Sequence, residues 1–96
     1  MANTSSKRAT IQLRLYVAGN APNSVHAVTN AKALCNEHHA NGYVLEIVDL
    51  MTHPLRALTD GIVVTPTLLR LSPLPVLRII GTLSDTDELL AALGGQ

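Results

Sequence analysis

Cys35, His38 and His39 stand at positions i, i+3 and i+4, a spacing that lets the thiol share a helical face with either imidazole. Both groups bind zinc, but zinc needs a third and usually a fourth ligand. The remaining histidines, His26 and His53, belong to other elements. Imidazoles near a helix C-terminus are also accounted for by the partial negative charge there, so the triplet alone implies no metal. A redox role needs two thiols as Cys-x-x-Cys at a strand–helix junction, where the helix terminus lowers a thiol pKa. The first such junction reads Gly19-Asn20-Ala21-Pro22-Asn23-Ser24 and holds no cysteine. Disulfide exchange is thereby excluded, and Cys35 reads as a small core hydrophobe.

The other reactive side chains have simpler explanations. Asp49, Asp60, Asp85 and Asp87 show no catalytic spacing, and Asp85, Asp87 and Glu88 suit the positive end of a helix dipole. Ser24 and Ser84 read as helix caps. Gly94-Gly95 follows a helical stretch instead of preceding one, so it is no phosphate loop. Seven basic and seven acidic residues give zero formal charge, and the aromatics are Tyr16 and Tyr43 alone. That composition supplies neither a basic stripe for a phosphate backbone nor a stacking platform for bases. The sequence therefore points to no catalytic residue and no cofactor, and to action by binding another protein.

The elements that carry these residues follow from periodicity. Residues 1–9 read as a disordered arm and 10–94 as one domain. Thr10 to Val17 alternates, with Ile11, Leu13, Leu15 and Val17 on one face and Gln12, Arg14 and Tyr16 on the other, as in a strand. Gly19 to Pro22 breaks it, and Ser24 or Asn23 caps a helix whose apolar side is Val28, Ala31 and Leu34, with Cys35 beside them. Asn41-Gly42 stops that helix. Tyr43 to Leu50 is apolar on both faces except at Glu46 and Asp49, which predicts a strand internal to the sheet. Thr52-His53-Pro54 opens a short helix with Leu55 and Leu58 as its buried edge. Strands over Leu68–Leu71 and Val76–Ile80 flank a Pro-rich turn and are expected to be antiparallel. Ser84, with Asp87 three residues on, starts a last helix carrying Leu89, Leu90 and Leu93. The order βαβαββα defines a single α/β domain, with a right-handed crossover between the first two strands.

That order is thioredoxin-like, and Thr65-Pro66-Thr67 resembles the cis-proline step before the third strand of that fold. More specifically, the chain resembles the KaiB family of circadian-clock-associated proteins. The resemblance rests on Leu15-Tyr16-Val17-Ala18-Gly19-Asn20 with Ala21-Pro22-Asn23-Ser24, on Ile47-Val48-Asp49-Leu50 with His53-Pro54, on Val64-Thr65-Pro66-Thr67-Leu68, and on Pro75 to Gly81 with Leu83-Ser84. It departs from the usual pattern at His26 and Leu77, where the family has arginines, and at Thr82, where it has Asp.

The resemblance implies a non-enzymatic regulator that binds a KaiC-like ATPase in a circadian, timing or stress-response system. The alternative is a sensory or scaffold domain similar to the KaiB-like domain of a histidine kinase. It further implies homo-oligomers (dimer or tetramer) and a metamorphic fold, in which the C-terminal half rearranges and the segment after Gly81 becomes a strand. Against that, residues 85–93 are rich in Ala, Leu and acidic residues with helix cap and stop signals, which favours the thioredoxin-like form. Asn20, Pro22, Asn23, Arg56, Arg70 and Arg78 are the candidate partner-binding residues. Lys32 and these arginines read as isolated cations suited to a rim, and Pro66, Gly81 and Thr82 as determinants of the fold. One cysteine and the absence of a signal peptide or membrane-length apolar run make the cytoplasm the expected compartment.

Overall fold

β1 (Ile11–Val17) is the strand around which the rest is arranged. It is followed by α1 (Pro22–His38), β2 (Tyr43–Asp49), α2 (Pro54–Thr59), β3 (Thr67–Ser72), β4 (Leu77–Ile80) and α3 (Thr86–Ala92). A computed structural model describes residues 11–38 and 42–92; the arm, residues 1–9, lies outside them, as do His39, Asn41 and Gly94-Gly95.

The four strands run in the order β2-β1-β3-β4. β1 and β2 are parallel, in a register that sets Arg14 beside Glu46 and Tyr16 beside Val48. β3 is antiparallel to β1, and β4 is antiparallel to β3. The fold is thus the thioredoxin-like βαβαββα arrangement, with residues 86–92 helical. The Thr65–Pro66 bond is cis, as the resemblance implies, and so are the bonds before Pro73 and Pro75.

One expectation about the sheet is overturned. β2 is an edge strand, and the internal strands are β1 and β3. β2 is apolar on both sides because its side chains reach towards helices above and below the sheet, while Val44 stays 54% exposed at the rim.

The alternation of β1 divides the molecule into two unequal cores. On one side Ile11, Leu13, Leu15 and Val17 pack with Leu68 and Ile79 of the sheet, with Ala27, Ala31 and Cys35 of α1, and with Leu83 and Leu89. Ala27, Ala31 and Cys35 recur every four residues, a stripe of small side chains that lets α1 lie close to the strands. On the other side the core is small: Tyr16, Val48, Ala57 and Leu69, with Leu50, Ile62 and Leu71 around them.

The second helix opens at His53-Pro54 as expected, and the starts of the other two differ. α1 begins at Pro22, its first-turn proline needing no backbone donor. Ser24 is therefore inside the helix and does not cap it; its buried Oγ accepts the Ala18 N–H at 3.0 Å and pins the end of β1. At α3 the cap is Asp85, not Ser84: its carboxylate accepts the Glu88 N–H at 3.1 Å. Ser84 instead shares a 2.7 Å hydrogen bond with the Thr82 hydroxyl. The turn between β4 and α3 is fastened to α1, because the Asn30 amide donates to the Thr82 carbonyl at 2.8 Å. Within that turn Leu83 is buried with φ at 65°, a left-handed conformation held by its seat in the core.

Candidate functional site

The thinner side of the sheet carries a charged network that alternation makes inevitable. Arg14 and Tyr16 share a face of β1, and the parallel register brings Glu46 alongside. The Arg14 guanidinium donates to Glu46 Oε1 at 2.9 Å and to Asp60 Oδ2 at 3.0 Å. Arg56 reaches Glu46 from α2, with N–O distances of 2.7 and 2.9 Å. The buried Tyr16 hydroxyl lies 2.6 Å from Asp60 Oδ2 and 3.0 Å from the Arg56 carbonyl oxygen. From β4, the Arg78 guanidinium donates to the carbonyls of Asp60 and Gly61 at 2.9 and 3.2 Å. Those carbonyls end α2, where a cation is favourable. Gly61, at φ 68°, turns the chain there in a conformation that glycine adopts without penalty.

The electrostatics follow from this geometry. Two guanidiniums on one carboxylate, Arg56 first and Arg14 second, hold Glu46 down at about 2. The Asp60 carboxyl is lowered by the Tyr16 hydroxyl and by Arg14. Burial, then the bond to Asp60, raises Tyr16. Arg14, Tyr16, Glu46, Arg56 and Asp60 are thereby held in their ordinary charge states near neutral pH, which suits a structural clamp.

The clamp determines how α2 lies. Leu55 and Leu58 were expected against the sheet, yet they are 75% and 74% exposed, and Ala57 is the buried residue. Polar contacts from Arg14, Glu46, Tyr16 and Arg78 fix the helix, so its small side faces inward and its leucines face outward. Beside them an open groove of about 260 Å³ is lined by Arg14, Tyr16, Leu55, Arg56, Thr59 and Asp60. Val63, which follows α2 in the chain, is also exposed, at 87%. Val76 and Ile80, beside and within β4, are exposed as well.

The residues singled out from sequence fall into three places. Asn20, Pro22 and Asn23 are exposed together at the β1–α1 junction. Its geometry is set by Asp49, whose Oδ1 accepts the N–H groups of Gly19 and Met51 at 3.1 and 2.9 Å. Arg56 and Arg78 meet on the α2 side, but neither is isolated: one is paired with Glu46, the other spent on backbone carbonyls. Arg70 lies apart on the opposite face, is buried, and donates to the Pro75 carbonyl at 3.0 Å. Of the fold determinants, Pro66 precedes β3, and its carbonyl accepts the Gly81 N–H at 3.0 Å, while Thr82 follows in the fastened turn. Sequence reasoning missed Glu46 and Asp60 as partners of Arg14. The signal was present in the lone charge on an otherwise apolar β2, and needed the strand register to be read.

Cys35 is buried, and that burial pushes its thiol up to about 11. His39 lies outside the described residues, so the Cys35–His38–His39 triplet is not defined as a cluster. Among the described residues no group of three or more His, Cys, Asp or Glu is placed to hold a metal ion. No helix of the described residues is long and apolar enough to cross a membrane.

The domain is thus a thioredoxin-like α/β fold with a thiol-free strand–helix junction, a clamped helix and outward leucines. Comparison with known proteins agrees on the fold. The KaiB domain family matches residues 14–94. The circadian clock oscillator protein KaiB of Synechococcus elongatus is 46% identical over 88 residues, covering 92% of this chain and 86% of that protein. KaiB of Gloeothece citriformis is 43% identical, over 90% of this chain and 81% of its own length. Among solved structures, the N-terminal domain of Synechococcus elongatus SasA aligns with a TM-score of 0.72 at 25% identity, covering 91% of this chain and 86% of that domain. The Drosophila melanogaster thioredoxin Deadhead reaches the same 0.72 at 13% identity over 98% of this chain and 88% of its own, a likeness of fold alone. This chain belongs to the KaiB family.

Proposed function

We propose that this chain is a non-enzymatic KaiB-like regulator that docks on a KaiC-like ATPase, in a circadian or other timing system, through the edge strand and helices of its C-terminal half. The observation that carries this reading is the 46% identity to a circadian clock oscillator protein over 92% of the chain. The geometry supports it. α2 turns Leu55 and Leu58 to solvent while charged contacts fix its backbone, and rigid apolar side chains on a fixed element make effective anchors for a partner. Arg56 and Arg78 lie at the edge of this patch, and Asn20, Pro22 and Asn23 offer a second contact at the β1–α1 junction. Arg70, being buried, would act by supporting the β3–β4 turn. The expected compartment is the cytoplasm.

The likeness to the SasA N-terminal domain favours a second reading, a sensory or scaffold domain similar to the KaiB-like domain of a histidine kinase. Its lower identity, 25% against 46%, places it behind the first. The test is co-purification with the host's KaiC-like ATPase, with and without nucleotide. A complex that Leu58→Lys abolishes supports the proposal, and no complex under any nucleotide condition overturns it.

A further inference from the structure

We propose that the groove between α1 and β2, at the β1–α1 junction, receives a lysine side chain from a partner protein. The proposal rests on the reading that the chain acts by binding a protein, and it gives the second contact a chemistry. The groove holds about 360 Å³, and its walls are Val25 and Val28 of α1, Ile47 of β2 and Val17 at the end of β1. Val25 is 48% exposed and Ile47 39%, so both walls present apolar surface to water. Among the described residues that line the groove, Asp49 alone carries a charge.

That carboxylate is half used. Its Oδ1 accepts the Gly19 and Met51 N–H groups, while Oδ2 takes no donor from the described residues and is open to solvent. A negative charge with unused acceptor capacity thus borders an apolar groove, and its complement is a cation on an apolar stem. Lysine and arginine both answer to that, and the geometry selects lysine. A guanidinium binds most strongly as a fork across both carboxylate oxygens, and here Oδ1 is already committed. An ammonium is a point charge that one oxygen satisfies. Its methylene stem can lie along Val25, Val28 and Ile47, as lysine stems do on apolar surface. The groove is open, so it cannot enclose a free small molecule as ligand pockets do. It suits a side chain presented by a protein. Asn20, Pro22 and Asn23 stand exposed at the same junction, where the backbone carrying that lysine can rest.

The test titrates the chain alone with a capped lysine, Nα-acetyl-lysine N-methylamide, and follows amide chemical shifts, so no ATPase enters. The expected result is a set of shifts centred on Gly19, Val25, Ile47 and Met51, with a dissociation constant on the order of 10 mM. Capped norleucine, which has the stem without the ammonium, and capped arginine should each bind at least about threefold more weakly. Asp49→Asn keeps one oxygen for the Gly19 and Met51 N–H groups and puts an NH2 group in place of the open one. It should weaken capped lysine by at least about threefold, with the Gly19 and Met51 amides still protected from exchange. If that variant fails to fold, the three capped residues on the unaltered chain still decide. No shift at these residues up to about 100 mM capped lysine overturns the proposal. So does norleucine or arginine binding as well as lysine, or unchanged binding in a folded Asp49→Asn. Butylamine, the same stem and ammonium without a backbone, binding more tightly than capped lysine would overturn it too, by assigning the groove to a free amine. Failure to capture a KaiC-like ATPase with these shifts intact would remove the function proposed above and leave the lysine site standing.

Discussion

The two sides of the sheet solve the same packing problem by different means. Toward α1 and α3, β1 presents Ile11, Leu13, Leu15 and Val17, and the helices answer with Ala27, Ala31, Cys35, Leu83 and Leu89. Toward α2 it presents Gln12, Arg14 and Tyr16, and the helix answers with one buried alanine and a set of ion pairs. Hydrophobic contact is non-directional and tolerates a helix sliding or rolling on the sheet. A bidentate arginine–carboxylate contact fixes both distance and angle. The first side therefore supplies stability, and the second supplies orientation, which is how two leucines come to be held in water.

The comparison is sharpest where a substitution acts on one side alone. Leu15→Ala, at a residue with no exposed surface, should cost about 2–5 kcal/mol, measured by urea unfolding. Tyr16→Phe keeps the ring in the smaller core and removes the hydroxyl that joins Asp60 to the Arg56 carbonyl. Its cost should be about 1–2 kcal/mol, with a change in the chemical shifts of α2 that Leu15→Ala does not share. If Tyr16→Phe proved the costlier of the two, the division into a stabilising side and an orienting side would fail.

Acid tests the clamp by a different route. Glu46 is held at about 2, below its ordinary value of 4.5. A carboxylate depressed in the folded state stabilises it above the unfolded value, and that contribution is lost as pH falls through the folded one. Unfolding free energy should therefore decline between pH 4.5 and about 2. In Glu46→Gln that limb should flatten, while stability at neutral pH changes less than in Tyr16→Phe, because the pair is half in solvent and screened. A Glu46→Gln acid limb identical to the parent's would remove the clamp from the argument. The smallest stability effect belongs to Leu58→Lys, 74% exposed, which should shift stability by no more than about 0.5 kcal/mol while abolishing capture by a KaiC-like ATPase. A destabilised Leu58→Lys would mean that the leucine is part of the core after all.

How legible these features were depended on whether the cause was local. The alternation of β1 and the Gly and Pro breaks gave the element order, since period and punctuation lie within a few residues. The last helix was legible for the same reason, although its cap fell one residue later, on Asp85. The orientation of α2 was not, because nothing within Pro54–Thr59 says that Glu46 and Arg14 outcompete the leucines for the inner face. β2 was misplaced for a related reason: a strand covered by helices on both faces reads as internal wherever it sits in the sheet. Asp49 looked like a lone acid in the sequence, and its work on the N–H groups of Gly19 and Met51 appears once the chain returns to β1.

Cys35 is the single thiol of the chain, it is sealed beneath α1, and burial keeps it protonated to about 11. A disulfide reagent in solution meets it only when α1 lifts from the sheet, so the rate of thiol labelling becomes a clock for that opening. Nature has installed one chemical reporter at the interface that holds the larger core together. Labelling under native conditions would time how often this small domain breathes, with no change to its sequence.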